Sequence, residues 1–195
     1  LIINMSLTDE GRFDFKEQFR LSTLSRGEPY DERTLAEVIS SERVKHKRVF
    51  PAASPTYFLA ENGSSVLLDG KPVLPVGITA LADNYYCNES GQYAKFVTDQ
   101  FGFRNEQSIW NAPVDIVAIG DSFTMGSCLD DELSLVGQMR KSGRKVLNLG
   151  MGSNGPLLEL ASLIEFGLQS KPKAIVWNFY PNDMEDLLRE RQNPI

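Results

Sequence analysis

Residues Val114-Asp-Ile-Val-Ala-Ile-Gly-Asp-Ser-Phe-Thr-Met-Gly126 change character in their middle. Val114, Ile116, Val117 and Ile119 make a short β-branched run, the composition of a strand buried on both faces of a parallel sheet. The run stops at Gly120, which allows a sharp turn. Asp121 and Ser122 follow, and then a segment able to start a helix. Ligands of open α/β sheets sit beyond the carboxyl ends of the strands. Ser122 therefore falls where chemistry is usually done, and amides at the helix start could face a developing oxyanion. On these residues alone a second reading stays open, a βα turn in which Asp121 or Ser122 only caps the next helix.

Working outward, Val146-Leu-Asn-Leu-Gly-Met-Gly-Ser-Asn-Gly-Pro156 reads as a second short strand ending in a glycine-rich loop. Ala174-Ile-Val-Trp-Asn-Phe-Tyr-Pro-Asn-Asp183 reads as a third, ending in Asn182-Asp183. A parallel sheet would bring all three polar loops to one edge. Together, and in this order, the three blocks resemble the SGNH/GDSL hydrolase family, over about Pro72 to Arg189. The resemblance implies a flavodoxin-like three-layer α/β/α sandwich around a parallel sheet. It implies Ser122 as nucleophile, with oxyanion donors at Asn182 and in the loop at Gly152 and Ser153. Asp121 would brace the turn.

The same resemblance marks departures. Ser153 stands where the family subgroup shows glycine, and Pro181 stands where glycine would precede Asn182. No Asp-x-x-His block follows Asn182, so no catalytic base is assigned. Three βα units would also leave the third strand as an exposed edge. The economical expectation is a sequence that stops before its domain does. A degenerate, non-catalytic relative is the alternative.

The length of 195 residues suits a domain with an appendage. The expected division is an N-terminal helical and irregular β appendage over 1–112 and a partial α/β domain over 113–195. A net charge of −6 argues against a nucleic-acid partner, whose footprint is a basic face. No apolar run approaches about 18 residues, so no membrane-spanning helix is expected. No signal peptide is read. The chain begins at Leu1 without Met, which leaves room for an upstream targeting or anchoring segment. The two cysteines, Cys87 and Cys128, allow free thiols or one bridge. Cys-Asn-Glu at 87–89 and a cysteine six residues after the serine are similar to a bacterial extracytoplasmic SGNH subgroup. That likeness implies a Cys87–Cys128 disulfide and an extracytoplasmic location.

Upstream, residues 1–50 look helical and polar, with Phe13, Phe15, Phe19 and Leu24 as a weak apolar stripe. A better helix is expected from Asp31 to Lys47, on the spacing of Leu35, Val38 and Ile39. Arg43, Lys45, His46, Lys47 and Arg48 form a basic cluster, read as a solvated helix end matched to the dipole, with contact to an anionic lipid or polymer surface as the lesser reading. His46, the lone histidine, sits among cations and far upstream of the family's histidine position. It is read as an exposed helix residue rather than a base for Ser122. Residues 65–74 read as a hairpin turning at Asp69-Gly70, and 93–97 as a short strand. Asp99-Gln-Phe-Gly-Phe-Arg-Asn105 should fill core with its aromatics and use Arg104 in an ion pair. In the main domain a helix is expected over 131–142, with Leu133, Leu135, Val136 and Met139 inward. Another is expected over 156–169, with Leu157, Leu160, Ala161, Ile164 and Leu168 inward, and a last one over 183–191.

Asp121 and Asp183 could be read as a glycosidase pair, but Asp121 suits a turn brace better. Residues 120–126 lack the lysine of a phosphate loop. No His or Cys cluster has metal-ligand spacing, and no cofactor is expected. The expected activity is hydrolysis or transfer of O-acyl groups, O-acetyl above all, on a cell-surface carbohydrate or small ester. The rival is a glycan-binding or scaffold protein that keeps the fold without turnover. Oligomeric state is left open.

Overall fold

A computed structural model describes residues 14–60, 63–64 and 66–192 of the chain. The elements run α1 (Phe15–Ser25), α2 (Leu35–Arg43), β1 (Val49–Pro51), β2 (Leu59–Ala60), β3 (Gly63–Ser64), β4 (Leu67–Leu68), β5 (Lys71–Pro72), β6 (Asp83–Tyr85) and β7 (Lys95–Val97). They continue with β8 (Ile116–Gly120), α3 (Ser122–Met125), α4 (Leu135–Lys141), β9 (Val146–Asn148), α5 (Pro156–Ser162), β10 (Ala174–Asn178) and α6 (Asp183–Arg191).

The architecture is mixed α/β, built on a three-stranded parallel sheet in the order β10-β8-β9. All five residues of β8 are buried, as its β-branched composition requires of a central strand. Side chains alternate between the two faces. Ile116 and Ala118 pack on one side with Val136 of α4, Val146 and Met139. Val117 and Ile119 pack on the other with Leu147, Leu149, Phe103 and Leu163. Helices thus cover both faces. Because the strands are parallel, β8, β9 and β10 all end at the same rim.

The outer edge of β9 is closed by a side chain rather than a strand. Asn105 Nδ2 donates to the Asn148 carbonyl (2.9 Å), and Asn105 Oδ1 accepts from the Asn148 amide (2.8 Å). The amide group mimics a paired peptide and blunts that edge. Asp99 holds Asn105 in turn. Its buried carboxylate accepts from the Phe101 and Phe103 amides, Asn105 Nδ2 and Trp110 Nε1. Phe103 is fully buried, but Phe101 is 42% exposed, so only one of the two aromatics fills core. Arg104 does more than pair with an acid. It donates to the Gly126 and Leu129 carbonyls (2.6 and 2.9 Å), lies over the Phe96 ring and stands 3.5 Å from Asp131. It therefore clamps the loop that follows α3.

The N-terminal region forms a second three-stranded sheet, β1-β6-β7, with α2 packed against it through Val38 and Ile39. Asp69 (φ 50°) and Gly70 (φ 76°) turn the β4–β5 hairpin, as a two-residue turn between right-twisted strands demands. Ser65, at the expected hairpin start, and Phe13 lie outside the described residues.

Helix α2 is shorter than its apolar spacing predicts. Thr34 starts it in a reciprocal capping box with Glu37, so Asp31 and Glu32 precede the helix. Asp31 pairs instead with Arg33. Arg43 donates to the Val49 carbonyl, and Arg48 to the carbonyls of Ala80 and Leu81. Two members of the basic cluster are thus backbone ties, whereas His46 is exposed on the turn after α2. Thr34→Ala should cost about 1 kcal/mol of stability, read as a lower urea midpoint with an unchanged slope.

Helix burial in the main domain also departs from expectation. Residues 131–133 form a separate 3-10 turn, Ser134 caps α4, and Leu133 and Leu135 face solvent. Helix α5 ends at Ser162 and runs on through a π-turn over 163–167. Its buried stripe is Leu158, Ser162, Leu163 and Gly167, together with Glu159. Leu157, Leu160, Ile164 and Leu168, expected inward, are exposed. This segment is apolar nearly all round, so spacing alone cannot choose its inner face. On the β10 side Ile175, Trp177, Phe179, Met184 and Leu188 are exposed as well.

Cys87 and Cys128 form a disulfide, as the likeness implied. The bridge spans 41 residues of sequence and ties the N-terminal region to the loop after α3. Among the described residues no helix is long and apolar enough to cross a membrane.

Candidate active site

The turn after β8 presents Ser122. Gly120 has φ 150°, and a Cβ there would lie 2.3 Å from Thr124 Oγ1 and 2.8 Å from the Asn178 carbonyl. Only glycine lets β8 pass so close to both neighbours and enter α3 at once. Asp121 is the N-cap of α3. Its Oδ1 accepts from the Phe123 amide at 2.9 Å. Ser122 is the first residue of the helix and is partly exposed. Neither its hydroxyl nor its amide bonds to another described residue. An unpaired amide at a helix start is a ready anion donor.

The loop after β9 comes to the same place. A Cβ on Gly152 would lie 3.9 Å from Ser122 Cβ. The Gly152 carbonyl accepts a hydrogen bond from Ser54 Oγ, contributed by the N-terminal region. In a trans peptide the following N–H points the opposite way, so this bond sets the direction of the Ser153 amide. That amide donates to no described residue. Ser153 holds φ 62°, a left-handed conformation that explains why glycine would be the easier residue here. The Gly152 amide is already directed at Met125 Sδ, 3.4 Å away. Of the two loop candidates, Ser153 carries the free donor.

The third loop arrives through Asn182, at the start of α6. Its Nδ2 donates to Asp121 Oδ2 (3.4 Å) and Asp186 Oδ2 (3.1 Å). Asn182 thus touches the residue before Ser122, but its side-chain N–H groups are engaged by carboxylates. Helix α6 also braces the second loop. Glu190 accepts from the Gly155 and Leu157 amides, and Arg189 donates to the Ser153 carbonyl.

The elements behind the rim carry buried acids. Asp121, Glu159, Asp183 and Glu190 are each at most 3% exposed. Burial pushes Glu159 up to about 8, against the lowering hydrogen bond from Trp177; Asp183, Asp121 and Glu190 add to the rise. Asp183 and Glu190 are also raised, chiefly by burial. Asp121 and Asp183 are buried and bonded to backbone amides, which leaves neither free to serve as an exposed glycosidase acid. Among the described residues one cluster has ligand-like spacing, Cys87, Glu89 and Cys128, and its two sulfurs are spent on each other.

Sequence reasoning named the three loops but not their supports. Ser54, Glu190 and Arg189 carried no motif. Tyr86, whose Oη lies 3.5 Å from where a Cβ on Gly152 would sit, had only its place beside Cys87 to mark it. Comparison with protein-family models, curated proteins and solved structures finds no match to this chain.

Proposed function

We propose that the protein is a serine esterase of SGNH/GDSL type on a flavodoxin-like sandwich, hydrolysing or transferring O-acetyl groups of a cell-surface carbohydrate. The observation that carries this reading is the partly exposed, unbonded Ser122 hydroxyl at a helix start, facing the Gly152–Ser153 loop, with Asn182 joined to the adjacent Asp121. In the reaction Ser122 Oγ attacks the acyl carbonyl, the C–O bond to the alcohol breaks and the alcohol leaves carrying the serine's proton; water, or an acceptor hydroxyl in transfer, then takes the acyl group and returns a proton to Ser122. The oxyanion of the tetrahedral intermediate accepts from the Ser122 and Ser153 amides. Asn182 joins them only when its amide turns from a carboxylate to the substrate. Among the described residues none bonds to Ser122 Oγ. The disulfide supports placement outside the cytoplasm, in the periplasm or at the cell surface. The choice of glycan rests on the family resemblance.

The engagement of Asn182 by Asp121 and Asp186 favours a second reading, a glycan-binding protein without turnover. Acetate release from an O-acetylated bacterial polysaccharide separates the two. The esterase reading expects acetate from the native protein and none from Ser122→Ala. Equal polysaccharide binding by both, with no acetate from either, would establish the binder.

A further inference from the structure

We infer that Tyr86 is a substrate-contacting residue whose hydroxyl donates a hydrogen bond to the acyl carbonyl oxygen held over Ser122; this rests on the serine-esterase reading. Tyr86 Oη lies 3.5 Å from the point where a Cβ on Gly152 would sit, and Ser122 Cβ lies 3.9 Å from that same point. The hydroxyl, the serine and the open face of Gly152 thus surround one small space. That position is glycine in this chain, and any side chain there would occupy the space.

The tyrosine is held rather than loose. Its ring packs against the main core. Its amide donates to the Ala94 carbonyl at 3.0 Å, and its neighbour Cys87 is bridged to Cys128 on the loop after α3. The disulfide therefore fastens Tyr86 to the chain that carries Ser122. Yet its hydroxyl bonds to no other described residue. The ring is thus anchored in the core while the hydroxyl is left accessible at the Gly152 loop, where a ligand oxygen can reach it. Burial, with Tyr57 and Glu89 adding to it, raises the phenol above its ordinary value. The group accordingly stays an O–H donor at neutral pH.

The need for such a donor follows from what the other candidates already do. The Gly152 amide faces Met125 Sδ, and the Asn182 amide faces two carboxylates. Two backbone amides, Ser122 and Ser153, remain. A third donor from the N-terminal region completes the set and makes that region part of the site.

The test is Tyr86→Phe, which keeps the ring and removes one oxygen, assayed in the native protein with p-nitrophenyl acetate. The inference expects kcat to fall about tenfold or more with KM little changed, because the bond strengthens as charge develops on the oxygen. A fall in kcat together with a lower melting temperature would assign Tyr86 to the core and overturn the inference. An unchanged kcat in an active, stable variant would do the same and leave the esterase reading intact. Absence of turnover in the native protein itself would defeat the esterase reading, and the role of Tyr86 with it.

Discussion

Ser122→Ala should lower hydrolysis of p-nitrophenyl acetate by the native protein about a thousandfold or more. The size follows from the role. Without the hydroxyl no acyl-enzyme can form, and the remaining donors stabilise only direct attack by water. Structural damage is an inadequate alternative explanation, because the Ser122 side chain makes no hydrogen bond to a described residue. Capping of α3 belongs to Asp121. The variant should therefore melt within a degree or two of the parent. A variant that keeps most of its activity would remove Ser122 from the chemistry. One that loses activity and stability together would return the residue to the turn.

Glu159→Gln should stabilise the protein at pH 9 by on the order of 3 kcal/mol and have little effect near pH 4.5. Glu159 is 1% exposed, its Oε1 has no hydrogen-bond partner, and its Oε2 accepts from Trp177 Nε1 at 2.6 Å. Its folded value is raised to about 8 from 4.5. Between these two values the folded state binds a proton that the unfolded chain has released. Stability then falls as pH rises through that window, the opposite of a salt-bridged acid. Glutamine keeps an acceptor for Trp177 and removes the buried charge. Urea unfolding of both proteins at pH 4.5 and pH 9 measures the effect. A gap that does not widen with pH would mean that Glu159 is compensated by a cation.

How far the sequence spoke depends on the element. The parallel strand at 116–120 was legible because burial on both faces leaves only apolar residues there. The Asp69-Gly70 turn was legible because two left-handed residues are a local demand. Helix α5 was not, since Leu157, Leu158, Leu160, Leu163 and Ile164 supply apolar residues to every side. The inner side of the run is fixed at Leu163, in the turn that continues it, which packs with Val117 and Ile119, partners distant in sequence. The start of α2 was missed because capping by Thr34 and Glu37 outweighs the acids at 31–32. In the site, Ser122 and its turn carry a local pattern. Ser54 and Tyr86 reach the loop after β9 through tertiary structure alone, which no spacing rule records. The engagement of Asn182 likewise depends on Asp121, 61 residues away.

The measurement that bears most directly on the central claim is intact-mass and peptide mapping of the native protein after treatment with a fluorophosphonate. The account predicts a single covalent adduct on the peptide containing Ser122, absent from Ser122→Ala and slower to form in Tyr86→Phe. No adduct, or one that persists at another residue in Ser122→Ala, would contradict it.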